Sequence, residues 1–155
     1  MSRHRILVSN RQRLVRFPAG LVRSIVELVL DDSGIKENCE VSILLCRDPL
    51  IRTLNRDYRG VDRPTDVLAF AQSEDFKIHE PQHQKYILLG DVVISADTAV
   101  ENAERFDASP GGEIARLIIH GTLHLLGWDD SDPASRSRMR RKEKALLEAG
   151  GLDFK

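Results

Sequence analysis

The sequence predicts an α/β fold of the α+β kind, with a mixed sheet of about four strands covered by about five helices. Apolar residues along the chain alternate between the period of strands and the period of helices. The 155 residues, 41% hydrophobic and 30% charged, have the composition of an ordinary globular protein. A chain of this length buries one core, so we expect a single domain over residues 1–155.

Four segments have the apolar, β-branched character of strands. They are residues 6–9, 39–46, 65–71 and 88–95. A polar segment with Glu80-Pro81 lies between the last two and is the expected flexible loop. Cys39 and Cys46 stand at opposite ends of one strand, too far apart for a disulfide. We therefore expect free, partly buried thiols and a reducing, cytoplasmic location.

Five segments have the apolar spacing of helices, and a proline or a capping residue marks most of their starts. They are residues 19–30 with Pro18 in the first turn, a helix capped by Asp48-Pro49 and continuing to about Tyr58, residues 96–105, a helix capped by Ser109 with Pro110 in its first turn, and a last helix from about Ser131 to Gly150-Gly151. No apolar run approaches the ~20 residues needed to cross a bilayer, and the start lacks the apolar stretch of a secretory signal. We expect no membrane partner.

The fourth helix contains the most informative stretch, His120-Gly-Thr-Leu-His124-Leu-Leu-Gly127-Trp-Asp-Asp130. Residues four apart share a helix face, so both imidazoles can reach one point. Gly127 favours the left-handed conformation that ends a helix, which lets the chain bring Asp130 to the same point. Three ligands and an open position are typical of a catalytic metal, so the helix, apolar around most of its circumference, should be central and metal-binding. A structural histidine pair is the alternative.

The chemistry of such a site fits hydrolysis of a peptide or of a phosphodiester, because Zn²⁺ lowers the pKa of a bound water toward about 7. Peptidases built on this helix place a glutamate directly after the first histidine as the general base. Gly121 stands there, which disfavours a metallopeptidase. Glu113 could act as a base, although a first-turn glutamate that complements the helix dipole is the more common interpretation.

Arginines supply the second chemical signal, since guanidinium is the preferred planar donor to phosphate. Four of them precede the third predicted strand at helical spacing: Arg52, Arg56, Arg59 and Arg63. The last helix is also strongly basic and includes Arg136, Arg140 and Arg141. The alternative for both sets is a solvated helix face, paired in the first case with Asp57 and Asp62. The net charge of −1 gives no indication of a nucleic-acid partner by itself.

The chain resembles the YbeY endoribonuclease family of bacterial rRNA maturation factors. Three segments carry the resemblance, in the family's order: residues 54–70, 89–95 and 120–130. It implies a zincin-like metal helix on a small mixed sheet. It also implies a single-strand-specific, metal-dependent endoribonuclease that acts on the 3′ end of small-subunit rRNA and in ribosome quality control. The implied partners are single-stranded rRNA and the ribosome or small-subunit assembly factors.

Residue by residue, the resemblance makes His120 and His124 two of the zinc ligands and Arg59 the arginine associated with activity. The family usually has histidine where Asp130 stands, and Asp129 matches the family's own aspartate. An aspartate leaves less positive charge at the metal than a histidine. We therefore expect a bound water of higher pKa and a site for one divalent ion, Zn²⁺ or else Fe²⁺, Mn²⁺ or Ni²⁺.

Further residues are predicted to support the site. The expected RNA-binding positions are Arg56, Arg63, Arg136, Arg140 and Arg141. Asp66 and Asp91 are candidates to orient the metal ligands. Trp128 could stack on a base or pack over the turn. Two other functions stay open, a zinc metallopeptidase and a non-catalytic, ribosome-associated RNA-binding protein with a structural metal.

Overall fold

A computed structural model describes residues 3–72 and 85–152, and the predicted loop at Glu80-Pro81 lies outside them. The elements of the described part follow the predicted order: β1 (Arg5–Asn10), α1 (Ala19–Asp32), β2 (Cys39–Cys46), α2 (Asp48–Arg59), β3 (Val67–Ala71), β4 (Ile87–Ser95), α3 (Ala96–Arg105), α4 (Pro110–Leu125) and α5 (Pro133–Ala149). Most predicted boundaries agree with the observed ones within two residues.

The sheet is mixed, with the strand order β1-β2-β4-β3. β2 pairs in parallel with β1 and β4, whereas β3 pairs antiparallel with β4 and forms one edge. α4 contacts β3 and β4 as well as α1, α3 and α5, so it is the central helix of its layer. The predicted α/β fold, with four strands, five helices and the metal-candidate helix at its centre, is confirmed for the described residues.

The core has a layer on each face of the sheet. The larger layer lies under α1 and α4, and the smaller one joins Ile51 of α2 to Cys46, Leu68 and Val93. Cys39 and Cys46 are free, as expected, and fully buried rather than partly so. Burial raises the pKa of both thiols to about 11. In residues 3–72 and 85–152, no helix is long and apolar enough to span a membrane.

The helix caps correct two details of the sequence analysis. Pro18 occupies the cap position of α1 and not its first turn. Asp48 is the first residue of α2 and does not cap it; its carboxylate accepts hydrogen bonds from Ser95 Oγ at 2.6 Å and Thr98 Oγ1 at 2.8 Å. Asp48 therefore ties α2 to the start of α3, across the end of β4. The cap at Ser109 is confirmed, since its side chain accepts from the Gly112 N–H.

Gly121 marks the closest approach of α4 to the sheet. A Cβ at this position would lie 2.4 Å from Val92 Cγ1 and 3.0 Å from its Cγ2, both shorter than van der Waals contact allows. Val92 is fully buried in β4 and its branched side chain is stiff, so it cannot move aside. Glycine is thus required for the helix to lie on the strand, and a glutamate here would have no room.

We predict that Gly121→Ala destabilises the protein by about 1–3 kcal/mol through overpacking against Val92. This loss opposes the gain of about 1 kcal/mol that alanine gives over glycine inside a helix. Urea unfolding followed by circular dichroism measures the difference. Gly20→Ala in α1 is the matched control, because nothing lies within 4 Å of the added Cβ, and it should be neutral or stabilising. Equal stability of the Gly121 variant and wild type would contradict the close packing of α4 on β4.

Candidate metal centre

The end of α4 turns the chain back toward the two histidines. Gly127 has a φ of 97° and donates its N–H to the carbonyl of His124 at 3.0 Å, while the Trp128 N–H reaches the carbonyl of Leu123 at 3.0 Å. This pair of bonds is the Schellman motif, which satisfies the last carbonyls of a helix. The predicted helix end at Gly127 is confirmed.

The bend between α4 and α5 is held by its own polar side chains. Asp129 accepts hydrogen bonds from the Ser131 N–H at 3.0 Å and the Ser131 hydroxyl at 2.6 Å, and these bonds lower the pKa of its carboxyl. Asp132 caps α5 in a reciprocal capping box with Ser135. Asp129 is therefore engaged within the bend, and Asp130 is the carboxylate that turns back to α4.

The three candidate ligand atoms converge on one point. His120 Nε2 and His124 Nε2 lie 3.1 Å apart, and Asp130 Oδ2 lies 3.5 Å from the first and 3.3 Å from the second. For ligand bonds of about 2.0–2.1 Å, neighbouring corners of a tetrahedron are about 3.3 Å apart. The spacing of these atoms therefore fits three corners of a tetrahedral site, and His120, His124 and Asp130 together could hold a metal ion.

Glu143 determines which nitrogen of His120 faces that point. Its carboxylate oxygen Oε2 lies 2.7 Å from His120 Nδ1, and Glu143 is 2% exposed. A carboxylate accepts, so Nδ1 carries the hydrogen and Nε2 keeps the lone pair that a metal needs. A histidine ligand commonly donates its other N–H to a carboxylate in this way.

A chain of charged side chains continues from Glu143 through the helical layer. Arg116 donates to Glu143 Oε1 at 3.0 Å and to both oxygens of Glu113, at 2.8 and 3.0 Å. Asn102 donates to Glu113 Oε2 and to Asp66 Oδ2, each at 3.0 Å. Burial alone would lower the pKa of the Arg116 guanidinium, but the bonds and charges of the two glutamates outweigh it and raise that pKa.

Sequence patterns did not identify Glu143 or Arg116 as site residues. A signal for Glu143 was nevertheless present in the sequence. Glu143 occupies the buried stripe of α5, whose other members are Ser135, Met139 and Leu146. An acid on the apolar stripe of a basic helix needs a buried partner. Glu113, weighed as a base, is instead a buried counter-ion of Arg116.

Arg59 and the candidate ligands line one cavity of about 370 Å³. Arg59 is the last residue of α2, and Gly60, with a φ of 72°, caps the end of the helix. One of its terminal nitrogens donates to the carbonyl of Ala69 on the edge strand β3 at 3.3 Å. The end of α2 thus places a guanidinium in the same cavity as the three converging atoms, and its other N–H groups make no hydrogen bond or ion pair within residues 3–72 and 85–152.

The other predicted phosphate-binding arginines form three pairs with different surroundings. Arg52 pairs with Asp62 at 2.9 Å and Arg56 with its neighbour Asp57 at 3.1 Å, as the solvated-face alternative expects. Arg63 and Arg141 are exposed and are not among the residues lining the cavity beside the histidines. Two positions on α5, Arg136 and Arg140, line a second cavity that also reaches His120 and Asp130.

Three remaining predicted residues have defined surroundings. Asp66 lines the same cavity as Arg59 and joins the charged chain through Asn102. Asp91 lines a separate cavity of about 700 Å³ together with Leu54 of α2, so the structure does not bring it to the histidines. Trp128 is half-buried and packs against the main core, which favours the packing interpretation of its role.

Comparisons with known proteins agree with this architecture. The sequence model of the family described as Endoribonuclease YbeY matches residues 8–151. An Endoribonuclease YbeY of Desulforamulus reducens is 39% identical, with 96% of this chain and 98% of the relative covered. The one of Geobacter sulfurreducens is 41% identical, covering 96% and 99%.

A solved structure has a related fold. The solution structure of TM1509 from Thermotoga maritima matches with a TM-score of 0.58 and 25% identity, over 95% of this chain and 88% of that one. A family model that spans most of the chain, together with relatives of this identity over nearly full length, is decisive. The chain belongs to the YbeY endoribonuclease family.

Proposed function

We propose that the protein is a metal-dependent endoribonuclease with one hydrolase domain. It cuts single-stranded RNA at a metal site formed by His120, His124 and Asp130. One observation carries this proposal: the three ligand atoms meet within 3.1–3.5 Å of one another in a cavity that Arg59 also lines. The site remains open, because the Asp130 side chain is 38% exposed and three ligands leave one tetrahedral corner free.

The donor set suits one divalent ion. Two imidazole nitrogens and one carboxylate oxygen would hold Zn²⁺, and the oxygen also makes Fe²⁺, Mn²⁺ or Ni²⁺ suitable. When bound, the ion supplies the Lewis acidity that phosphodiester hydrolysis requires. Glu143 holds the His120 ring by its Nδ1–H, so that this ligand is oriented before an ion arrives.

Arg59 stabilises the negative charge that grows on the phosphoryl oxygens during cleavage. Its guanidinium has five N–H donors, and a single bond to the carbonyl of Ala69 leaves the others for the substrate. A guanidinium at the wall of the cavity offers the planar pair of donors that matches two phosphate oxygens. Asp66, which accepts a hydrogen bond from Asn102, lines the same cavity as this arginine and the ligands.

The RNA strand would extend over the basic positions Arg56, Arg63, Arg136, Arg140 and Arg141. We propose the 3′ end of small-subunit rRNA as its target, a role in ribosome quality control, the ribosome or small-subunit assembly factors as partners, and the cytoplasm as its location. Free thiols at Cys39 and Cys46 are consistent with a reducing compartment.

The two rival functions fit the geometry less well. A metallopeptidase would need a glutamate at position 121, where an added Cβ already lies 2.4 Å from Val92. A purely structural metal would be enclosed by four protein ligands, whereas three meet here beside a cavity of about 370 Å³. Metal analysis of the purified protein, with cleavage of single-stranded RNA before and after chelation, tests the choice. Cleavage that withstands complete metal removal would overturn the proposal.

Asp130→Ala should reduce Zn²⁺ affinity by more than about 100-fold, because it removes a ligand. Loss of a residue that only hydrogen-bonds to a ligand typically reduces metal affinity by roughly 10- to 100-fold. RNA cleavage should fall with it. Asp130→His should restore Zn²⁺ binding, since imidazole is an equally good ligand. Competition with a chromophoric chelator measures affinity, and Asp129→Ala is the matched control. Equal loss in the Asp129 and Asp130 variants would contradict the assignment of the third ligand.

Glu143→Gln should weaken Zn²⁺ binding about 10- to 100-fold while all three ligands remain. The amide can donate to Nδ1, which would move the ring hydrogen to Nε2 and block coordination. ¹⁵N NMR of the metal-free protein should show the hydrogen of His120 on Nδ1 in wild type and a mixture of tautomers in the variant. An unchanged tautomer and unchanged affinity would remove Glu143 from this positioning role.

Arg59→Ala should lower the cleavage rate about 100-fold or more, the typical cost of losing one donor to a developing oxyanion. Metal content should stay at the wild-type level, because Arg59 is not one of the three candidate ligands. Arg23→Ala is the control: this exposed arginine also donates to a backbone carbonyl, that of Ile6 at 3.3 Å, but lines neither cavity. Arg59→Ala with wild-type activity would exclude it from the mechanism.

A further inference from the structure

A second cavity, of about 250 Å³, adjoins the candidate metal centre and does not have Arg59 in its lining. Its walls share four residues with the first cavity: Asp66, Val67, His120 and Asp130. Arg136 and Arg140 of α5 also line it, and Leu117 and Met139 supply apolar contacts. The converging ligand atoms therefore lie between two spaces, one bounded by Arg59 and the other by a pair of arginines.

The charges around this second cavity are unevenly compensated. Glu143 is bonded to Arg116 and His120, and Asp66 accepts from Asn102 and from the Val67 N–H. Asp130 is the proposed metal ligand. In contrast, the side chains of Arg136 and Arg140 are exposed and have no ion pair or hydrogen bond within residues 3–72 and 85–152. Of the charged groups lining the cavity, these two guanidiniums are the ones that have no bonded partner within those residues.

The arrangement on α5 makes this pair distinct from the other basic residues of the helix. Arg136 and Arg140 are four apart, so they project from the same face toward the same cavity. Lys142 forms an ion pair with Asp32 of α1. Arg138 and Lys144 are exposed and do not line the cavity.

We infer that Arg136 and Arg140 form a subsite for a phosphate of the RNA strand adjacent to the scissile phosphate. The inference rests on the proposed function, since it takes the scissile phosphate to lie at the metal beside Arg59. Two free guanidiniums in a polar cavity match the oxygens of one phosphodiester. The subsite thus fixes the strand on the far side of the ligands and sets its direction across them.

Steady-state cleavage of a single-stranded RNA tests the subsite with a double variant, Arg136→Gln/Arg140→Gln. We expect KM to rise about tenfold or more, the value of losing charged hydrogen bonds, with kcat within about twofold of wild type. The slope of log(kcat/KM) against log[NaCl] should become shallower by about 0.7, since each neutralised phosphate on a single strand contributes about that much and the subsite holds one. Hydrolysis of bis(p-nitrophenyl) phosphate, too short to reach the subsite, should be unchanged.

The matched control is Arg138→Gln/Lys144→Gln, which removes two charges from the same helix outside the cavity. An equal rise of KM in both double variants, or no rise in either, would overturn the subsite. An equal loss of small-diester hydrolysis would also overturn it, because the pair would then act on the scissile phosphate. If wild type cleaves no RNA, the proposed function fails. Fluorescence anisotropy with a labelled oligouridine then still tests the subsite. The subsite requires that the Arg136→Gln/Arg140→Gln variant show the roughly tenfold weakening of RNA binding and that the Arg138→Gln/Lys144→Gln variant not show it.

Discussion

The buried hydrogen bond between Glu143 and His120 is the constraint on which the site depends. Glu143 is buried, so each of its oxygens needs a partner within the protein, and each has one: His120 for one, Arg116 for the other. A buried charge left unpaired costs several kcal/mol, whereas a fully bonded network specifies one arrangement of the helices that carry it. The contacts that pack α5 on α4 therefore also orient the His120 ring as a metal ligand.

Part of the site could be predicted from the sequence, because the residues concerned lie close together along the chain. The two histidines, Gly127 and Asp130 lie within eleven consecutive residues, and helix geometry alone relates them. Helix ends obey short-range rules, so the Schellman bonds after His124 and the cap at Ser109 followed from residue type. The order of the helices and strands was predictable for the same reason, since period and capping are local properties.

Other features depend on contacts that no local pattern encodes. His120 and Glu143 are 23 residues apart, and Arg116 and Glu143 are 27 apart, so only the packing of α4 against α5 brings them together. The insertion of β4 between β2 and β3 likewise required the tertiary structure. Arg52 and Arg59 have the same type and share one helix, yet Arg52 pairs with Asp62 while Arg59 faces the ligands. The family resemblance implied a role in activity for Arg59 alone, which stays a prediction, and Arg59 is the one of the two that lines the cavity of the histidines; spacing alone did not separate them.

The carboxylate at Asp130 and the arginines around it are related through charge. A divalent ion on two neutral imidazoles and one carboxylate has one unit less positive charge than on three imidazoles, which weakens its attraction for a phosphodiester. Arg59 on one side, and Arg136 with Arg140 on the other, place positive charge at the two cavities that meet at the ligands. In our proposal Arg59 acts on the scissile phosphate and Arg136 with Arg140 on the adjacent one, so together they restore attraction for the strand without changing the ligand set. The compensation works only where the helix after the bend is basic, as α5 is, and where its acidic member, Glu143, is bonded inside the core and so does not cancel that charge at the surface.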